Sequence, residues 1–197
     1  MIKQLRSAPN QLTMLRLIFV PFIVNAVIDD NYGTALILFI LAGISDGLDG
    51  VLARALKQRT RLGEYLDPIA DKLLLSSLFF VLSIMHKIPW RVTVLVFSRD
   101  VGILVVAAVL YATTSLRDFR PSLFGKANTV TQIATLALVL LAEVYPAAWI
   151  VAFRQAGLWL TFGLTLISWL HYTLTLPHRM RANNARMTES SPNKTSG

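Results

Sequence analysis

Apolar residues along this chain fall into six runs, roughly Leu12 to Ile28, Tyr32 to Leu52, Pro68 to Met85, Val92 to Ala112, Thr129 to Val144 and Ile150 to Leu174, separated by short polar connections. A helix needs about 20 residues to cross hydrocarbon, whereas a membrane-barrel strand needs only about ten. Backbone groups in hydrocarbon must be bonded within their own segment, so runs of this length predict an all-α polytopic membrane protein, a six-transmembrane-helix bundle. The connections alternate in character. Lys57, Arg59 and Arg61 follow the second run, Arg117, Arg120 and Lys126 the fourth, and Arg179, Arg181 and Arg186 the sixth. The opposite connections hold Asp29, Asp30 and Asn31, then Lys87 and Arg91, then Glu143 and Pro146. Weighted by Lys and Arg, this places both termini and the basic connections on the cytoplasmic side. The pattern divides the chain into an interfacial N-terminal segment over 1–11, a membrane domain over 12–176 and a polar tail over 177–197 expected to be disordered.

Composition narrows the class. Of 197 residues 54% are hydrophobic and 15% charged, with a mean hydropathy of +0.56. That is too apolar for a disordered chain and too poorly charged to cover a small soluble domain. The formal charge of +8 sits in short loops between apolar runs rather than on a soluble basic face, so nucleic acid is not the expected partner. Cysteine is absent, which removes disulfides and thiolate metal sites. No targeting segment is visible at the N-terminus, which points to a bacterial inner membrane. His86, His171 and His178 lie without ligand spacing, Trp90, Trp149 and Tyr145 suit an aromatic belt at the outer interface, and Pro21 is expected to kink the first run.

The chemistry is concentrated in one stretch, SDGLDGVLARALKQRTRLGEYLDPIADK. Asp46 and Asp49 are followed by Gly50 and Ala53 at helical spacing, so the four share one face; Gly63, Asp67 and Asp71 repeat at i, i+4 and i+8 on another. Ionisable residues inside spans carry function by default. Four carboxylates brought together would repel and protonate unless cations neutralise them. Oxygen ligands without Cys or His favour magnesium, manganese or calcium over zinc, and four acids match two divalent ions, a known arrangement for in-line displacement at phosphorus. A cation or proton pathway of a transporter is the rival interpretation, although such sites lie nearer the midplane on broken helices.

These residues carry a resemblance. Asp46, Asp49-Gly50, Ala53-Arg54, Gly63, Asp67 and Asp71, at their full spacing, resemble the signature of the CDP-alcohol phosphatidyltransferase family. Pro9-Asn10, Leu12-Thr13 and Arg16 are similar to its opening segment, and Leu66-Asp67-Pro68 with Ala70-Asp71-Lys72 to its glycerophospholipid branch, the phosphatidylglycerophosphate and cardiolipin synthases. The resemblance implies a transfer of the phosphatidyl group from CDP-diacylglycerol to a glycerol-type acceptor at the cytoplasmic face, with release of CMP, by a homodimer. It implies that Asp46, Asp49, Asp67 and Asp71 hold two Mg2+ or Mn2+ ions and that Asp71 also serves as general base. Nucleotide contacts would come from Asp46 and Asp67, with Gly50 and Ala53 making room, Arg54 steadying the diphosphate and Gly63 allowing close approach.

The acceptor is expected among the remaining cations. Arg117, Arg120 and Lys126 lie in the connection before the fifth run, where they can bind the phosphomonoester of glycerol 3-phosphate, or simply obey the positive-inside bias. Arg99-Asp100 is expected to be an internal neutralising pair. Ser98-Arg99-Asp100, Ala107 and Lys126-Ala127-Asn128-Thr129 look more like the cardiolipin synthases, whose acceptor is phosphatidylglycerol. Glycerol 3-phosphate is placed first as the commoner bacterial acceptor, with phosphatidylglycerol as the alternative.

Overall fold

The computed structural model describes residues 8–55, 61–113 and 123–189, with side chains over 14–45, 47, 70–103, 105 and 125–170. Every element among them is a helix: α1 Ala8–Ile28, α2 Tyr32–Ala55, α3 Arg61–Ile84, α4 Trp90–Thr113, α5 Leu123–Val144 and α6 Ala148–Glu189. Each corresponds to one apolar run. Two stretches, Gly125–Val144 and Ala148–Leu170, are long and apolar enough to cross a membrane, and shorter apolar stretches cover Met14–Ile28 and Tyr32–Ser45.

The helices differ from the apolar runs mainly at their ends. α3 begins at Arg61, seven residues before the apolar run at Pro68, because the polar turns bearing Gly63 and Asp67 keep helical spacing although they are not apolar. α6 continues to Glu189, fifteen residues past the end of the apolar run at Leu174. Its last turns are rich in Arg, Ala and Met, all good helix formers, and extending an existing helix needs no new nucleus. Helix α1 already includes Ala8 to Gln11 and runs through Pro21; residues 1–7 and 190–197 lie outside the described residues.

Local chemistry sets the turns. α1 and α3 end alike. Asp30 and His86 take the left-handed conformation (φ 54° and 58°), the Asn31 amide donates to Ala26 O (2.8 Å) and the Lys87 amide to Leu82 O (2.8 Å). Both are helix caps of the kind usually built on glycine. Asn31 then caps α2, its side-chain oxygen accepting the Thr34 amide at 3.2 Å.

α1 packs along both α2 and α3, α5 along α6 and α2, and α4 bridges α3 and α6. Ile23 and Val27 of α1, Ala35 and Phe39 of α2, Leu78, Phe79 and Leu82 of α3, and Leu136, Val139 and Leu140 of α5 form the apolar core. Outside it the pattern is inverted. Ile18, Phe22, Ile37, Val94, Phe97, Val130, Phe153 and Leu160 are exposed, whereas Arg16, Asn128, Gln132, Thr161, Thr165 and Ser168 are buried. At the far end Lys87 and Arg154 both donate to Glu143 (2.6 and 3.1 Å), Lys87 also lies over the Tyr32 ring (5.1 Å), and Tyr32 donates to Asp30 (2.7 Å). This network ties the α1–α2 and α3–α4 turns to α5 and α6.

Candidate functional site

The acidic stretch spans two helices. Asp46, Asp49, Gly50, Ala53 and Arg54 occupy the last turns of α2, and Gly63, Asp67 and Asp71 the first three turns of α3. The helical backbone over both segments keeps the one-face spacing expected from the sequence. Of these residues only Asp71 falls among the described side chains. α1 lies against both acid-bearing helices, while α2 and α3 make no extensive contact with each other among the described residues. α1 is therefore the helix that both acid-bearing helices share as a neighbour.

Asp71 is held by Arg16. The guanidinium of Arg16, 1% exposed, donates to Asp71 Oδ1 at 2.6 Å, and the Asp71 side chain is 41% exposed. A buried cation thereby orients a carboxylate that still reaches solvent. The neighbouring Lys72 points elsewhere, as a 100° step along a helix requires. Its ammonium donates to Asp100 Oδ1 at 2.8 Å, and Arg99 donates to the same oxygen at 2.7 Å. Arg99 also reaches Ser168 Oγ on α6 at 3.3 Å. The expected Arg99-Asp100 pair is therefore present and is extended by Lys72 from α3 and Ser168 from α6.

A polar seam continues between α5 and α6. Thr165 donates to Asn128 Oδ1 at 2.9 Å, and the hydroxyls of Thr135 and Thr161 meet at 2.8 Å. Asn128 Nδ2, both amide atoms of Gln132 and Asp100 Oδ2 are buried without hydrogen-bond partners. Lys126, two residues before Asn128, is exposed at the start of α5; Arg117 and Arg120 lie outside the described residues.

Among the described residues no three His, Cys, Asp or Glu side chains form a metal-ligating group. Asp46, Asp49 and Asp67 lie outside the described side chains. The donor set is still a fit for hard divalent cations, being carboxylate oxygen throughout, with Asp71 accessible and fixed by Arg16. Sequence reasoning placed Arg16 only in an opening segment and gave Lys72 no partner. The signal that could have found them is their burial cost: a cation within an apolar run requires an acid, and Asp71 and Asp100 are the acids their helices can present.

Residues 6–167 match the sequence profile of CDP-alcohol phosphatidyltransferase. The chain is 35% identical to human "Cardiolipin synthase (CMP-forming)" over 71% of its own length but only 52% of that protein's, so it spans about half of that relative. It is 32% identical to the Aquifex aeolicus "CDP-diacylglycerol--glycerol-3-phosphate 3-phosphatidyltransferase", covering 85% of this chain and 94% of that one. It is also 34% identical to a "Probable phosphatidylglycerophosphate synthase" of Mycobacterium tuberculosis, over 70% of this chain and 68% of the relative. With the profile match covering most of its length and the acid register intact on α2 and α3, the chain belongs to the CDP-alcohol phosphatidyltransferase family.

Proposed function

We propose that the chain transfers the phosphatidyl group of CDP-diacylglycerol to a glycerol-type acceptor, releasing CMP, in phospholipid biosynthesis. The observation that carries this reading is Asp71, fixed by buried Arg16 yet accessible, on a helix that shares α1 as a neighbour with the other acid-bearing helix. Asp46, Asp49, Asp67 and Asp71 would hold two divalent cations, Mg2+ or Mn2+, and such ions would supply charge neutralisation for the diphosphate. Asp71 takes the proton from the acceptor hydroxyl as that oxygen attacks the lipid-side phosphorus. Gly50, Ala53 and Gly63 leave room for the nucleotide, and Arg54 steadies its diphosphate.

The inverted surface, apolar outside and polar within, supports a membrane-embedded bundle. We place six spans over the membrane domain at 12–176, with the acidic end, both termini and the active site at the cytoplasmic face, and a homodimer as the assembled state.

Glycerol 3-phosphate is the favoured acceptor, because the Aquifex aeolicus relative named for it is covered over 94% of its length. Lys126, with Arg117 and Arg120, then reads the phosphomonoester. One observation favours phosphatidylglycerol instead: Asn128, two residues after Lys126, is neutral and fully buried, its carbonyl oxygen accepting from Thr165, and adds no cation to that connection. CMP release from CDP-diacylglycerol by the purified full chain, with each acceptor and with Mg2+ or Mn2+, tests both. Turnover with glycerol 3-phosphate supports the first assignment, turnover only with phosphatidylglycerol selects the second, and no CMP with either overturns the transferase reading.

A further inference from the structure

At the end of α3 remote from the acidic motif, a cavity of about 300 Å3 opens between the α3–α4 turn and the first turns of α6. Asp71 and Ile84 are 13 residues apart on α3, which separates this cavity from the acidic site by about 20 Å along the helix axis. Its polar lining consists of Ser83, His86, Lys87, Arg154 and Gln155, without a carboxylate. Glu143 stands behind the lining and is shared by Lys87 and Arg154, so one negative charge faces two positive ones. Arg154 spends Nη1 on Glu143, and its Nε is buried without a hydrogen-bond partner. His86 is exposed beside them, held there by its left-handed cap.

The cavity is also half apolar in a directed way. Trp90, 51% exposed, forms one wall, and Leu158 forms another. Through Pro89, Gln155 and Leu158, which line both spaces, it continues into a groove walled by Val92, Trp159 and Phe162, with Arg91 lying over the Trp159 ring at 5.6 Å. A cationic pocket that runs into an apolar groove at the level of exposed Trp90 and Trp149 matches an amphiphile with an anionic head. Arg and Lys donors suit a phosphate oxygen, and the exposed Trp90 and Trp159 beside the groove suit the start of an acyl chain.

We propose that this cavity is a second lipid site, binding the phosphate headgroup of an anionic phospholipid from the leaflet opposite the acidic motif, with its acyl chain lying over the exposed rings of Trp90 and Trp159. It rests on the membrane-embedded reading above but not on the transfer chemistry. The test is a titration of the detergent-purified full chain with short-chain phosphatidic acid, followed by the fluorescence of Trp90 as the difference between wild type and Trp90→Phe. A saturable change is expected, with Arg154→Gln weakening it about tenfold, the worth of one charge-assisted hydrogen bond. Gln155→Phe, which fills the cavity at an exposed position and removes no charge, weakens it likewise and covers the case in which Arg154→Gln does not fold. Short-chain phosphatidylcholine binding as tightly overturns the anionic preference, inorganic phosphate binding as tightly overturns the lipid assignment, and affinity unchanged in both variants overturns the site. CMP release is expected to be unaltered in Gln155→Phe. Failure of the transferase reading would appear as absent CMP release with the titration intact, and failure of this one as a flat titration with CMP release intact.

Discussion

Arg16 of α1 and Asp71 of α3, 55 residues apart in sequence, meet at 2.6 Å with the guanidinium buried and the carboxylate half open to solvent. The pair both joins two helices and aims the acid proposed as general base. Asp71→Asn keeps the shape and a hydrogen-bond acceptor for Arg16 but cannot take a proton, so CMP release should fall by about 100-fold or more while the protein stays folded. Arg16→Gln should instead lower stability by about 1–2 kcal/mol and reduce activity together, because a buried charge-assisted bond is lost. Thermal unfolding in detergent alongside CMP release separates the two; a normal rate in Asp71→Asn would remove the base from that position.

Asp100 carries a heavier structural burden. It is 3% exposed and accepts from both Lys72 and Arg99. Asp100→Asn therefore leaves two cations facing a neutral amide inside the bundle, and a loss of about 3 kcal/mol is expected, the scale for breaking a buried pair from one side. Reversible unfolding in mixed detergent measures it, and a change below about 0.5 kcal/mol, the ordinary range for surface substitutions, would show that Lys72 and Arg99 are satisfied elsewhere.

The helices were legible because apolar run length carries their positions directly. Tyr32 opens both the second run and α2, and Val144 closes both the fifth run and α5. The starts of α3 and the end of α6 were not, since Gly63, Asp67 and the Arg-rich turns before Glu189 are helical without being apolar. The acid register on α2 and α3 was visible in spacing alone, as was the Arg99-Asp100 pair. What spacing cannot give is which helices are neighbours. That α1 sits against both acid-bearing helices, that Arg16 reaches Asp71, and that Lys72 turns to Asp100 are properties of packing between segments 28 to 55 residues apart.

Removal of divalent cations should abolish CMP release reversibly. All four candidate ligands are carboxylates, so an affinity ordering of hard cations is expected, with Mg2+ and Mn2+ restoring turnover and Ca2+ restoring little because it tolerates looser geometry. Chelator treatment followed by readdition in the presence of CDP-diacylglycerol checks it. Full activity in chelator would mean that the acids are neutralised by protons or by Lys and Arg instead.

Gly157 fixes how closely α6 approaches α5. A Cβ placed there would lie 3.0 Å from Thr135 Oγ1 and 3.6 Å from its Cβ and Cγ2. Thr135 cannot easily yield, since it is β-branched and its hydroxyl pairs with Thr161 at 2.8 Å. Gly157→Ala should therefore cost about 1–3 kcal/mol, the usual range for overpacking. Thr135→Ala alone should cost about 0.6 kcal/mol, typical of a hydrogen bond between membrane helices. In the double variant the clash disappears with the hydroxyl, so its total should be smaller than the sum of the singles, a coupling that unfolding measurements on all four proteins would resolve. Strictly additive costs would mean that α6 shifts away from α5 instead. That shift would also loosen the Asn128 to Thr165 bond on the same seam, and with it the side of the bundle where the acceptor is proposed to bind.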